Sequence, residues 1–219
     1  MALGLFGHPF SSYTWKALIP LYENDTPFTF CPLGPDYSEN IAAFAALSPM
    51  GKFPVLADGD RAIAEATAII EYLDAVHPGA VRFVPDDQLA AVEVRMLDRL
   101  FDNYVMTPTQ AIVGDALRPA DQRDAYGVDR ARAMLDTAYA WCDRHMQSRD
   151  WVAGGAFSLA DCAAGPSLFY ADWVHPIGDD FPALAAYRAR LLTRPSIKRC
   201  VDEARPYRSL FPLGAPDRD

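Results

Sequence analysis

A chain of 219 residues, 51% hydrophobic and 22% charged, has room for one or two folded domains and excludes an intrinsically disordered protein. Its 20 Lys and Arg against 29 Asp and Glu leave a formal charge of −9. That balance argues against a nucleic-acid partner, whose phosphates call for clustered positive charge, and there is no basic helix for an anionic membrane. The opening residues lack the charged and apolar regions of a secretion signal, and every apolar run is short. Cys31, Cys142, Cys162 and Cys200 are too dispersed for a disulfide framework, so a cytoplasmic protein is expected. Cys142 and His145 stand one helical turn apart, but a zinc site takes three or four ligands, so no metal is expected.

In chain order, Leu3-Gly-Leu-Phe-Gly7 predicts a strand running into a His8-Pro9 loop. Ser11 or Ser12 can cap a helix over about 13–23, which Asn24-Asp-Thr-Pro27 breaks. Phe28 to Cys31 predicts a second strand, and Ile41 to Leu47 a short helix. Asp58-Gly59 between the apolar runs 53–57 and 61–64 predicts a hairpin. Ala66, Ile69, Ile70 and Leu73 then recur with the spacing of a helix that buries one face. The first 80 or so residues read βαβαββα, and no strand pattern follows them.

Leu89, Val92, Met96, Leu100 and Tyr104 keep helical spacing up to Pro108, where the helix is expected to end. A second long helix is expected from Pro119 to Met146, antiparallel to the first. Ser158-Leu-Ala-Asp161 resembles a capping box, in which serine and the acid three residues on satisfy each other's backbone donors. Phe181-Pro182 opens a further helix, and Arg194-Pro195-Ser196 separates it from the last.

Three stretches together resemble the cytosolic glutathione transferase family: Pro49-Met-Gly-Lys-Phe-Pro-Val-Leu-Ala-Asp-Gly-Asp60, Ile63-Ala-Glu-Ala-Thr-Ala-Ile-Ile-Glu-Tyr-Leu73 and Gly155-Ala-Phe-Ser-Leu-Ala-Asp-Cys162. The resemblance covers nearly the whole chain. It implies a thioredoxin-like glutathione-binding domain over 1–78 and an all-helical bundle over 86–219, the class α/β plus all-α. It further implies detoxification chemistry in the cytoplasm, with glutathione as a substrate, a small hydrophobic electrophile as the second, and a homodimer.

Carried over by position, the resemblance makes Pro54 a cis-proline that frees the Phe53 backbone to pair with the cysteinyl unit of glutathione. It sets Lys52 near a ligand carboxylate and Glu65 near the γ-glutamyl amine. The family serine that holds the γ-glutamyl carboxylate is here Ala66, with Thr67 beside it as a partial substitute. The loss of one hydroxyl is worth about 0.5–1.5 kcal/mol, while the helix N-terminus still offers its N–H groups. With only Lys16, Lys52 and Arg61 against nine acids in the first 80 residues, an anionic ligand needs such local help.

Catalysis in this family lowers the glutathione thiol pKa. A free thiol titrates near about 8.5, and a two-unit drop corresponds to about 2.7 kcal/mol. One hydroxyl donating to the thiolate, worth roughly 1.5–3 kcal/mol, plus a helix N-terminus suffices. Phe6 and Gly7 carry no hydroxyl, so the tyrosine branch is set aside. The run His8-Pro-Phe-Ser-Ser-Tyr-Thr-Trp-Lys16 is similar to the serine-type, bacterial-like branch, with zeta-like features. Ser11 falls on the active position; Ser12 and Tyr13 are the alternatives, and either serine could instead serve only as a helix cap. Phe10, Phe101, Tyr104 and Val105, with Phe169 and Trp173 further along, are the expected walls of the second-substrate pocket, though aromatics at this spacing also build plain cores. A glutathione-dependent isomerase and a non-catalytic binding module are the alternative functions.

Overall fold

The computed structural model describes residues 3–219. Strands β1 (Leu3–Gly7), β2 (Phe28–Pro32), β3 (Val55–Asp58) and β4 (Arg61–Ala64) form one sheet in the order β2-β1-β3-β4. β1 and β2 are parallel, with Leu5 opposite Phe30; β3 runs antiparallel to β1, with Leu5 opposite Leu56, and antiparallel to β4. Helix α1 (Ser12–Glu23) supplies the crossover that parallel β1 and β2 require, α2 (Ser38–Leu47) leads into the hairpin, and α3 (Ala66–Val76) follows it. The expected βαβαββα order is therefore present, and Gly59, at φ 59°, supplies the left-handed turn between β3 and β4. Gly7 lets α1 approach the sheet: a Cβ there would lie 2.6 Å from Thr14 Oγ1.

The rest is helical: α4 (Gln88–Leu100), α5 (Thr107–Ala116), α6 (Ala125–Met146), α7 (Leu159–Val174), α8 (Pro182–Thr193) and α9 (Pro195–Ala204), with a 3₁₀ turn over Arg205–Leu210. α7 is buried along its whole length and packs on α1, α4 and α8, so one continuous core joins it to the face of α1 turned from the sheet. Its entry is the Ser158–Asp161 capping box. No helix among the described residues is long and apolar enough to cross a membrane.

Two helix boundaries differ from expectation. The first long helix does not stop at Pro108; α4 widens into one π-helical stretch, Phe101–Met106, and continues as α5 to Ala116. In an α-helix Pro108 would have to donate to the Tyr104 carbonyl and has no N–H to do so. The wider turn, closed by Thr107 N–H donating to Asp102 O, places Pro108 in the first turn of the continuing helix, where no donor is needed. The second departure is at Pro119, which precedes a 3₁₀ turn (Ala120–Gln122); α6 itself starts after Asp124, whose carboxylate accepts from Gly127 N–H.

Candidate functional site

The site begins where β1 ends. Ser11 is the N-cap of α1, extended at φ −96° and ψ 127°, and its Oγ accepts from Thr14 N–H at 3.3 Å. The preceding loop is tied down on both sides. His8 Nδ1 accepts from Phe10 N–H at 3.1 Å, Trp15 Nε1 donates to the Pro9 carbonyl at 2.6 Å, and Ser11 N–H donates to the His8 carbonyl at 3.0 Å. Burial holds the His8 imidazole below its usual pKa, which suits its acceptor role. Ser11 remains partly exposed, whereas Ser12 is buried beside a narrow crevice shared with Lys16, Asp102 and Pro166. The Tyr13 phenol is pushed up to about 12, first by burial and then by Asp102, with Arg99 opposing, so it stays a neutral donor.

A second edge is formed ahead of β3. The Phe53–Pro54 peptide is cis, and among the described residues no hydrogen bond engages the Phe53 N–H or C=O. The buried Ser48 hydroxyl grips the backbone of Lys52 from both sides, accepting from its N–H at 3.1 Å and donating to its carbonyl at 2.8 Å. Lys52 is exposed. The third edge is the start of α3. Glu65 holds φ 69° as its N-cap, a left-handed conformation that costs a non-glycine residue about 1–3 kcal/mol and that concentrates at functional positions. Ala66 is buried at the first helical position, and the N–H groups of this turn have no helical partner.

Beneath these edges lies a charge cluster that the sequence did not reveal. Lys16, 1% exposed, donates from Nζ to Thr67 Oγ1 at 2.9 Å and to Asp102 Oδ2 at 2.7 Å, and its charge lies 2.6 Å from Asp98 Oδ1. Thr67 Oγ1 in turn donates to Asp98 Oδ2 at 3.0 Å, and Arg99 donates to both Thr67 Oγ1 and Asp98. Burial raises the Asp102 carboxyl above its usual range, against the pull of Lys16. This corrects the expected role of Thr67: its hydroxyl is the hub of the cluster and is not open to replace the hydroxyl missing at Ala66. In the sequence Lys16 reads as the basic end of a motif and as one of three cations in the first 80 residues, and Asp98, Arg99 and Asp102 leave no trace in the pattern.

The expected second-pocket residues separate. Phe101 and Val105 are fully buried in the core, extending the face of α4 that buries Val94, Leu97 and Asp98; they do not line an opening. Tyr104 is exposed. Phe10 packs edge-on against Tyr170 and against Phe211, close to Trp173, and the Tyr170 hydroxyl donates to the Phe10 carbonyl at 2.8 Å. Phe169 and Trp173 are buried. Among the described residues no group of three His, Cys, Asp or Glu could hold a metal ion, and all four cysteines are free.

A four-stranded thioredoxin-like sheet followed by a helical bundle, with a cis-proline ahead of β3 and a helix N-terminus on each side of it, defines the class. Residues 5–80 match the family profile "Glutathione S-transferase, N-terminal domain" and residues 125–190 match "Glutathione S-transferase, C-terminal domain". The chain belongs to the glutathione S-transferase family. It is 27% identical to glutathione S-transferase A of Pleuronectes platessa, over 84% of each chain. It is 28% identical to FtsZ-localized protein A of Caulobacter vibrioides, over 78% of each. A crystal structure of a glutathione S-transferase from Methylobacillus flagellatus with glutathione bound superposes with a TM-score of 0.81 at 26% identity, covering 91% of this chain and 98% of that one.

Proposed function

We propose that this protein binds glutathione across the three edges, ionises its thiol at Ser11 and adds the thiolate to a small hydrophobic electrophile. The observation that carries the reading is the meeting of two helix N-termini: Lys16, five residues past Ser11, reaches Thr67, the second residue of α3. A tripeptide anion laid between them has Ser11 at its sulfur and the α3 first turn at its γ-glutamyl carboxylate, with Glu65 for the amine, Phe53 for the cysteinyl backbone and Lys52 for the glycyl end. Residues 1–78 then form the glutathione domain and 86–219 the helical one, with Phe10 and Tyr104 bordering the second substrate. That the Methylobacillus structure holds glutathione supports the same ligand here. Free cysteines suit the cytoplasm. Retention on immobilised glutathione together with conjugation of chlorodinitrobenzene tests the reading, and absence of both rejects it.

A non-catalytic module is favoured by one observation: Ala66 lacks the family hydroxyl and the Thr67 hydroxyl is committed elsewhere. The likeness to FtsZ-localized protein A, named for a location and not a reaction, fits that alternative. Glutathione binding without turnover on any electrophile would select it. The homodimer belongs to the proposal as well. Leu89, Val92 and Met96 stand exposed along one side of α4, an apolar stripe that a second copy would cover. Sedimentation at a mass near the 24.2 kDa of one chain across micromolar concentrations would reject it.

A further inference from the structure

The cluster under α3 has one member that faces outward. Lys16 and Asp98 are sealed and Asp102 nearly so, but the Arg99 side chain is 51% exposed. Its position follows from the packing of two antiparallel helices. Glu71 of α3 pairs with Arg95 of α4 at 2.6 Å, and one turn further along the same seam Thr67 meets Asp98 and Arg99. The last residues of α4 therefore draw level with the first turn of α3. The inner side of the guanidinium is spoken for: Nε donates to Asp98 Oδ2 at 2.9 Å, and Nη2 is held by Asp98 and Thr67. Nη1 donates to nothing among the described residues, and the side chain that carries it is half in solvent beside the first turn of α3.

Resting on the glutathione reading above, the geometry points to Arg99 as the residue that recognises the γ-glutamyl carboxylate, in place of the hydroxyl lost at Ala66. A half-exposed guanidinium fixed on its inner side by a buried carboxylate and a threonine is pre-organised. Binding a carboxylate costs it little side-chain freedom, and the outer N–H pair gives a charge-assisted contact stronger than a serine hydroxyl can make. The first-turn N–H groups of α3 supply the remaining donors. Selectivity follows: the site should prefer γ-glutamyl thiols that retain the α-carboxylate over otherwise identical thiols without it.

The test is a double comparison by calorimetry on the full chain, using glutathione and its analogue 4-aminobutyryl-cysteinyl-glycine, which lacks only that carboxylate. Wild type should bind glutathione tenfold or more tighter than the analogue. Arg99→Gln should lose that advantage by weakening glutathione tenfold or more while leaving the analogue within about twofold. Arg99→Lys, which keeps the charge and loses the fork, should fall between. Equal weakening of both ligands would make Arg99 a structural support and overturn the assignment, as would unchanged affinity for both. If wild type binds neither ligand, the glutathione reading itself fails, a result distinct from either. Arg99→Gln should fold, because the side chain is half in solvent; its melting temperature is recorded alongside.

Discussion

The Lys16 ammonium and the Asp98 carboxylate, 2.6 Å apart and both sealed from solvent, lock the first helix of the sheet domain to the first long helix of the bundle. The 2.6 Å contact is a charge pair; the aligned hydrogen bonds of Nζ go to Thr67 and Asp102. Taking such charges out of water is costly, so the pair is weak evidence for stability in itself. Removing one partner is another matter, since it strands the other.

Lys16→Met should therefore destabilise the protein by about 3–5 kcal/mol, the usual penalty for an uncompensated buried charge. Arg99, which also touches Asp98, places the expectation at the lower end of that range. Lys16→Arg keeps the charge and should recover part of the loss. Urea unfolding measures both, and a Lys16→Met midpoint equal to wild type would show that the pair contributes nothing.

Ser11→Ala removes the hydroxyl at the α1 cap. Turnover at neutral pH should drop by one to two orders of magnitude, as expected for losing about 1.5–3 kcal/mol of thiolate stabilisation, while glutathione still binds. The lost cap to Thr14 should also cost about 1 kcal/mol of stability. Thiolate absorbance of the bound tripeptide checks the assignment. A wild-type signal would move it to Ser12 or Tyr13.

Ala66→Ser restores one hydroxyl at the start of α3. With the Thr67 hydroxyl committed to the charge cluster, the new one adds a donor beside the Arg99 fork, and glutathione should bind up to about tenfold tighter. Calorimetry decides. Unchanged affinity would mean that the Arg99 fork and the α3 N–H groups already saturate that carboxylate.

Asp58, at the end of β3, accepts from the Tyr72 hydroxyl at 2.8 Å and pairs with His77 at 2.7 Å, pinning the hairpin to the end of α3. These two partners, His77 first, hold its carboxyl below the ordinary value of 3.8. The folded state thus favours the ionised form. Its stabilising effect is complete above the unfolded carboxylate pKa and is lost as pH falls through the lowered folded value. Titration of the Asp58 carboxyl carbon by NMR should give a midpoint under 3.8, moving upward in Tyr72→Phe. A midpoint at or above 3.8 in wild type would refute the pinning.

What the sequence revealed and what it hid divide by distance along the chain. The hairpin at Asp58-Gly59, the capping box at Ser158 and the breaks at Arg194-Pro195 are local codes, written within a few residues, and each stands where it was expected. Ser11 at a helix cap is legible for the same reason. The charge cluster is not, because Lys16, Thr67 and Asp98 come from three elements that only the fold brings together, and a lone Lys or Asp on a helix reads as solvated until its neighbours are known. Phe101 and Val105 continue the face of α4 that Val94, Leu97 and Asp98 bury, whereas the apolar stripe Leu89, Val92, Met96 and Tyr104 lies on the exposed side, so two apolar faces on one helix leave the inward one undecided by spacing alone. Ser48, the clamp on Lys52, left no sequence signal beyond its place before Pro49.

Asp161 is the place where structure enlarges a sequence expectation. As half of a capping box its removal would cost about 0.5–2 kcal/mol. The carboxylate is fully buried, however, and accepts four hydrogen bonds: Oδ1 from Val152 N–H at 3.0 Å and from the Tyr187 hydroxyl at 2.6 Å, Oδ2 from Ser158 N–H at 2.9 Å and from Ser158 Oγ at 3.0 Å. It therefore joins the start of α7 to the loop before it and to α8. Burial pushes the carboxyl up, and the four donors pull it down. Asp161→Ala would strand those donors in the core, including the sealed Tyr187 hydroxyl, so the expected loss rises to about 3–5 kcal/mol. Tyr187→Phe removes one donor together with its need for a partner and should cost only about 1 kcal/mol. No residue assigned to glutathione touches Asp161. Turnover per folded molecule and glutathione affinity should accordingly stay near wild type in both variants while melting temperature falls, more in Asp161→Ala. Collapse of turnover at an unchanged melting temperature would place Asp161 in the chemistry and break the separation of scaffold from site.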